Sequence, residues 1–138
     1  MATDTKYRRG RHCVFIMHVH LVFITKYRKR VFTKEILADM ETVFHEVCKD
    51  FGAEIKEFNG EADHVHLLVN YPPKIAVSRL VNSLKGVSSR MLRKKGYPRI
   101  LKSLWGDALW SPSYFAGSCG GAPIELLKQY IEQQKTPH

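Results

Sequence analysis

Hydrophobic residues in the first part of the chain follow two periodicities, one typical of strands and one typical of helices. Residues 13–25 (CVFIMHVHLVFIT) are almost continuously apolar and rich in β-branched and aromatic side chains, which predicts a strand. Residues 34–51 instead repeat apolar side chains every three or four positions, which predicts an amphipathic helix. Thr33 precedes this helix as a suitable N-cap, and Gly52 follows it as a residue that commonly ends helices.

Five further elements are predicted along the rest of the chain. Residues 53–60 and 64–70 form two strands, and the tight connection between them pairs them as a hairpin. Residues 75–94 have the pattern of a second amphipathic helix. A fourth strand is predicted over 104–119, and a last helix over about 123–134.

The order β-α-β-β-α-β, followed by a C-terminal helix, predicts an α+β fold. We expect a ferredoxin-like, RRM-like antiparallel sheet with helices on one face, in which the first and third strands are central neighbours. The other face of the sheet then stays open for a ligand. At 138 residues the chain is expected to form one domain over 1–138, with a flexible basic N-terminus over about 1–11.

Charge changes the picture, because the formal net charge of +9 is concentrated in two runs. Residues 6–34 and residues 85–102 hold many Lys and Arg side chains and no acid. Such dense positive charge attracts polyanions, so the pattern indicates nucleic-acid binding. A solvated, solubilising surface is the alternative, and it accounts less well for Arg-rich runs interleaved with tyrosines.

Cysteine usage and hydropathy limit the cellular setting. Cys13, Cys48 and Cys119 stand singly in apolar segments without CxxC spacing, so buried free thiols are expected. No segment approaches the ~20 apolar residues that span a bilayer. The basic N-terminus also lacks the apolar core of a signal peptide. The expectation is a cytoplasmic protein with no membrane partner.

Two HxH pairs stand in predicted strands. Because side chains alternate along a strand, His64 and His66 point to one face with Cβ atoms roughly 7 Å apart, which allows both to bind one divalent ion. Asp63 precedes them and could orient an imidazole or lie close to a metal. His18 and His20 have the same spacing but lie inside a long apolar strand, which favours a structural role. A further alternative is that one histidine from each strand faces the other across the central pair.

The last predicted helix supplies two more candidates. Tyr130 and Gln134 are four residues apart and therefore share a helix face. A tyrosine can act as a nucleophile towards phosphorus, and a glutamine carbonyl oxygen can complete the shell of a hard cation. The alternative is that Tyr130 packs against neighbouring leucines while Gln134 faces water.

These residues resemble those of a known family, the HUH single-tyrosine transposases. The family comprises the TnpA-type enzymes of bacterial insertion sequences that move as single strands, with their REP-associated relatives. The likeness lies in the two histidines with the later tyrosine and glutamine, and in four segments that follow in order: HLVFITKYRKRVF (20–32), DHVHLLV (63–69), SRLVNSLKGVSSRMLR (78–93) and LWSPSYFAGSCGG (109–121).

The resemblance implies a set of roles. Tyr130 would be the nucleophile, and His64, His66 and Gln134 would bind Mg²⁺ or Mn²⁺, with no nucleotide cofactor. His20 would not be a ligand. It also implies a homodimer whose active site is shared because the tyrosine helix docks on the partner. The hinge for that docking would be the glycines at 117, 120 and 121.

The implied function is a metal-dependent transposase of single-stranded DNA that cleaves and rejoins strands through a 5′-phosphotyrosine. Its partner would be single-stranded DNA with hairpins at insertion-sequence ends. A non-catalytic RRM-like binding protein and a phosphodiesterase that hydrolyses without rejoining are the alternatives, although no RNP-type aromatic segment is present. The candidate DNA-contacting residues are Lys26, Tyr27, Arg28, Lys85, Arg90 and Arg93.

Overall fold

The computed structural model describes residues 8–9, 14–15, 17–104, 108–118 and 124–133. A 3₁₀ turn at Lys26–Arg28 separates the third strand from the first helix. The strands and helices follow in the order β1 (Arg8–Arg9), β2 (Val14–Phe15), β3 (His18–Ile24), α1 (Lys34–Asp50), β4 (Glu54–Glu61), β5 (His64–Asn70), α2 (Val77–Lys95), α3 (Pro98–Leu104), β6 (Phe115–Ser118) and α4 (Ile124–Gln133).

Four strands form the main antiparallel sheet, in the order β4-β5-β3-β6. In the central pair, Val22 of β3 lies opposite His66 of β5, and Ile24 lies opposite His64. On the other side of β3, Phe115 of β6 lies opposite Val22. This order confirms the predicted ferredoxin-like arrangement, in which the first and third strands of the main sheet are its centre.

The two faces of this sheet differ because side chains alternate along each strand. One face packs on α1 and α2, whose apolar stripes include Phe44 and Leu84, both fully buried. A fully buried side chain of this size stabilises the fold by roughly 1.5–3 kcal/mol. The alternate positions of β3 and β5 belong to the opposite face, and these include His20, His64 and His66.

The region after α2 differs from the prediction. The expected strand over 104–119 is wrong over most of its described length, because among residues 104 and 108–118 a strand extends over Phe115–Ser118 alone. Leu104 instead ends helix α3 (Pro98–Leu104), for most of which the sequence predicted no element, and Ile100 and Leu104 on one side of it are buried. The predicted strand over 13–25 is also divided, since β2 pairs with β1 in a separate two-stranded sheet.

Several smaller expectations have a structural outcome. Cys48 is a buried free thiol as predicted, and burial raises its pKa to about 12. Cys13 and Cys119 lie outside the described residues, as does most of the predicted flexible segment over 1–11. Within the described part of the chain, no helix has the length and apolar character needed to cross a membrane.

Candidate active site

His64 begins β5 and is oriented by the preceding carboxylate. Asp63 is only 4% exposed, and its Oδ1 accepts a hydrogen bond from His64 Nδ1 at 2.8 Å. Its Oδ2 lies 3.3 Å from Arg28 Nε. Because a carboxylate only accepts, the imidazole proton lies on Nδ1 and leaves the Nε2 lone pair for another partner. Metal-binding histidines are commonly held by a carboxylate in this way, so the expectation that Asp63 orients an imidazole is confirmed.

His66 meets a histidine of the neighbouring strand. The rings of His66 and His20 stack at a centroid distance of 5.2 Å, and His20 Nδ1 lies 3.0 Å from His66 Nε2. Burial lowers the pKa of His66, and the nearby His20 adds to that effect. The neutral imidazole is the form that binds metals. The alternative in which one histidine from each central strand faces the other therefore describes this pair.

His18 has a partner of its own at the other end of β3. Its Nε2 accepts a hydrogen bond from Asn70 Nδ2 at 3.2 Å. Its pKa is lowered by burial first, with smaller contributions from Lys56 and His20. These contacts give His18 the structural role that its position inside an apolar strand indicated.

Other side chains fix the rings of both His64 and His66, namely Asp63 and His20. Among the residues that the structure describes, no group of three or more His, Cys, Asp and Glu side chains is arranged to hold a metal ion. Gln134, the third ligand implied by the resemblance, lies outside the described residues. A metal ion bound by His64, His66 and Gln134 therefore stays a prediction.

Tyr130 lies on the same sheet face as these imidazoles. With Ile131 it packs against Val22 and Ile24, the residues opposite His66 and His64 in the central strand pair. Its ring also contacts Phe115, at a centroid distance of 5.6 Å. Helix α4 of a single chain therefore places the phenol on β3 and β6, with β3 lying between it and the strand that carries His64 and His66.

The phenol oxygen of Tyr130 is within hydrogen-bonding distance of a serine hydroxyl, since its Oη lies 3.0 Å from Ser113 Oγ. Burial raises the pKa of Tyr130, and the bond to Ser113 opposes that rise. Nothing in the sequence around Ser113 singled it out, because its contact with Tyr130 depends on how α4 packs.

The 3₁₀ turn after β3 combines an exposed aromatic ring with cations. Tyr27 and Arg28 both have left-handed backbone angles, with φ of 63° and 54°. Such conformations are strained for residues other than glycine and cluster at functional sites. Tyr27 is 45% exposed, with the ammonium groups of Lys26 and Lys29 5.3 Å and 5.7 Å from its ring centroid. The ion pair between Arg28 and Asp63 links this turn to the carboxylate that orients His64.

The two acid-free runs of the sequence meet at this end of the molecule. Lys29 Nζ donates to the carbonyl of Ser103 at 2.7 Å, and Arg99 donates to the carbonyl of Arg30 at 3.3 Å. Basic residues of both runs therefore lie close to the turn that contacts Asp63.

Three of the predicted DNA-contacting residues lie on α2 and differ in exposure. Arg90 is exposed and Arg93 is half-buried. Lys85 is half-buried as well, and its ammonium donates to two backbone carbonyls, those of Ser111 and Ser113. DNA contacts by these three residues stay a prediction.

Comparisons with known proteins agree on one family. A family model described as "Transposase IS200 like" matches residues 13–134. The chain is 32% identical over 127 residues to the ISDra2 transposase TnpA of Deinococcus radiodurans, covering 92% of this chain and 90% of that protein. It is 30% identical over 119 residues to the transposase for insertion sequence element IS200 of Salmonella typhimurium, covering 84% of this chain and 78% of that protein.

Solved structures show the same relationship. A crystal structure of a candidate transposase from Deinococcus radiodurans superposes with a TM-score of 0.85 at 29% identity, covering 94% of this chain and 99% of that one. The structure of a REP-associated tyrosine transposase bound to a REP hairpin has a TM-score of 0.54 at 13% identity, covering 96% of this chain and 68% of that one. This second likeness concerns the fold.

Proposed function

The chain belongs to the IS200-like transposase family and is a DNA transposase, and from this premise we propose that it cleaves and rejoins single-stranded DNA through a covalent bond to Tyr130. The observation that carries the proposal is the packing of Tyr130 on Val22 and Ile24, the cross-strand neighbours of His66 and His64. The proposed nucleophile and the two proposed metal ligands thereby share one face of the sheet.

The transfer chemistry balances with a tyrosine nucleophile. The Oη of Tyr130 attacks phosphorus, the bond from phosphorus to the 3′ oxygen breaks, and a 5′-phosphotyrosine forms. The phenol proton passes to solvent water, and the leaving 3′ oxygen takes up a proton. Because the ester keeps the energy of the broken bond, a second 3′-hydroxyl can attack it and join new strands.

A divalent cation suits the two imidazoles of the site. When bound by His64, His66 and Gln134, Mg²⁺ or Mn²⁺ would polarise the phosphate oxygens and neutralise charge at the leaving oxygen. In this arrangement Asp63 keeps the proton of His64 on Nδ1, and His20 holds the ring of His66. The family likeness supports Gln134 as the third ligand, and no nucleotide cofactor is required.

The proposed substrate is single-stranded DNA with hairpins at its ends, bound by a homodimer. In the turn beside Asp63, Tyr27 offers a ring for an unpaired base while Lys26 and Arg28 attract phosphates. On α2, Arg90 and Arg93 are the corresponding candidates for the hairpin backbone. The related REP-associated transposase, whose structure holds a REP hairpin, supports this substrate class. The enzyme would act in the bacterial cytoplasm.

A covalent-adduct assay tests the proposed function. The protein is incubated with a labelled, hairpin-bearing single strand and Mn²⁺, then separated on a denaturing protein gel. A labelled protein band is expected with the wild type and is expected to disappear in Tyr130→Phe and after chelation. Strand cleavage without any labelled protein would identify a hydrolytic phosphodiesterase instead. Binding without cleavage would identify a non-catalytic binding protein.

A further inference from the structure

The segment over 108–114 is fixed to the fold in front of β6. The amide of Ser111 donates to the carbonyl of Ile24 at 2.7 Å, at the end of β3. The indole of Trp110 donates to Ser88 Oγ at 3.0 Å, and both side chains are buried. Hydrogen bonds to β3 and to α2 therefore hold this segment in place.

Lys85 attaches the same segment to α2. Its ammonium donates to the carbonyl of Ser111 at 2.7 Å and to that of Ser113 at 3.0 Å. It also lies 5.7 Å from the ring centroid of Phe23 and 5.5 Å from that of Tyr114. Burial lowers the pKa of this lysine. A lysine that binds phosphate usually keeps its ammonium in water, whereas Lys85 directs it into the chain.

Beyond this anchored segment lies the proposed nucleophile, since Ser113 Oγ is 3.0 Å from Tyr130 Oη. Resting on the proposed function, we propose that Ser113 is a catalytic residue of strand transfer whose hydroxyl holds the Tyr130 phenol oxygen, and that Lys85 is the positioning residue that fixes Ser113. Neither role follows from the family's motif of histidines, tyrosine and glutamine.

The physical reason is the charge that develops on Oη. When Oη attacks phosphorus, its proton passes to solvent water and negative charge develops on the oxygen. A hydroxyl that donates a hydrogen bond to Oη stabilises this charge until the bond to phosphorus has formed. The same bond fixes the direction in which the phenol presents its lone pair. Lys85 reaches the carbonyl of Ser113 from α2, and His64 and His66 lie on the strand beyond β3.

The first test compares Ser113→Thr with Ser113→Val. The two new side chains have the same shape, but threonine keeps the hydroxyl and valine lacks it. Formation of the covalent adduct is measured in single turnover at saturating DNA. We expect Ser113→Val to be slower by about tenfold, the worth of one good hydrogen bond, and Ser113→Thr to stay within about threefold of the wild type. DNA affinity is expected to be equal in both. Ser78→Ala, which removes an exposed hydroxyl on α2, serves as the matched control.

A second readout needs neither metal nor DNA. With ¹³Cζ-labelled tyrosine, the Tyr130 resonance is assigned by its loss in Tyr130→Phe, and its titration is followed by NMR. Loss of the Ser113 hydroxyl is expected to move this titration to higher pH, because the hydrogen bond opposes the rise caused by burial. Threonine and valine variants with equal rates and equal Tyr130 titrations would overturn the proposal.

The role of Lys85 is tested by separating chemistry from binding. In Lys85→Met we expect adduct formation to slow several-fold while DNA affinity and its salt dependence stay unchanged. Arg90→Met is the comparison, since loss of a phosphate contact weakens binding and reduces the salt slope by about one. A Lys85→Met variant with a normal transfer rate and the reduced salt slope would identify a phosphate contact and end the positioning role.

The outcomes distinguish this proposal from the proposed function. A wild-type protein that forms no adduct refutes the proposed function and, with it, the transfer role of Ser113. A wild-type adduct that forms equally well without the Ser113 hydroxyl leaves the proposed function standing and refutes the role of Ser113 alone.

Discussion

Replacing Asp63 by Asn should uncouple the HxH pair from the basic turn while changing the side-chain volume very little. The carboxylate accepts from His64 Nδ1 at 2.8 Å and from Arg28 Nε at 3.3 Å. An amide has one accepting oxygen and one donating nitrogen. If the oxygen keeps the bond to His64, the NH₂ group faces the Arg28 donor. If the oxygen faces Arg28 instead, the NH₂ group donates towards His64 Nδ1. The His64 proton then lies on Nε2, and this proton blocks metal binding.

The expected magnitude follows from either orientation. Loss of a partner that orients a metal-binding histidine typically weakens metal affinity by about 10- to 100-fold. This corresponds to about 1.4–2.8 kcal/mol of binding free energy. The free energy of unfolding should fall by about 1–3 kcal/mol as well, since Asp63 is buried and one of its charge-assisted bonds is lost.

Mn²⁺ affinity is the direct assay, measured by calorimetry or by the electron paramagnetic resonance signal of the free ion. Urea unfolding of the same samples gives the stability change separately. Asp50→Asn, at the exposed end of α1, is the matched control and should leave both quantities nearly unchanged. The reasoning is refuted if Asp63→Asn binds Mn²⁺ like the wild type while His64→Ala loses the ion.

Three further predictions concern folding and reactivity. Burial lowers the folded pKa of His66 below its unfolded value, so the native state binds fewer protons than the unfolded state. The contribution of His66 to the free energy of unfolding is therefore fully present above about pH 6.5 and is lost as the pH falls towards the folded pKa. Urea unfolding at several pH values should show this loss, and a His66→Gln variant with the same pH dependence would contradict it. The Cys48 thiol, with its pKa raised to about 12, should resist alkylation in the native state and react in urea, as peptide mapping would show; rapid native labelling would argue against its burial. Thr33→Ala removes the side chain that accepts from the Ile36 amide at 3.2 Å and should cost about 1 kcal/mol in urea unfolding, whereas Thr33→Ser should cost little.

Local periodicity was sufficient to predict the elements that determine where the HxH pair lies. The strand over 64–70 and the helix from residue 34 have the predicted extents to within one residue, because their apolar positions have a single period and clear ends. The central pairing of β3 with β5 followed from the order of the elements. The orienting role of Asp63 was also foreseen, since it adjoins His64 in the chain.

The region over 98–118 shows why the other elements could not be predicted from the sequence. Its apolar residues belong to a short helix, an isolated bridge and a short strand, so no single period extends through the segment. Pro98 at a helix start, with Ile100 and Leu104 four positions apart, was the available signal for α3.

Contacts between distant residues could not be predicted from local pattern. The Lys85 ammonium lies in a charged helix face that looks solvent-exposed in the sequence, yet its partners are carbonyls 26 and 28 residues away. The contact between His20 and His66 spans 46 residues and depends on the register of the central strands. Both contacts follow from tertiary packing.

The most direct measurement of the central claim is the chemical identity of the DNA–protein bond. After reaction with Mn²⁺ and a hairpin-bearing single strand, the adduct is digested with nuclease and protease and its peptides are sequenced by mass spectrometry. The account predicts a nucleotide attached through its 5′-phosphate to Tyr130, absent in His64→Ala. A nucleotide on any other residue, or cleaved DNA with no modified peptide, would contradict it.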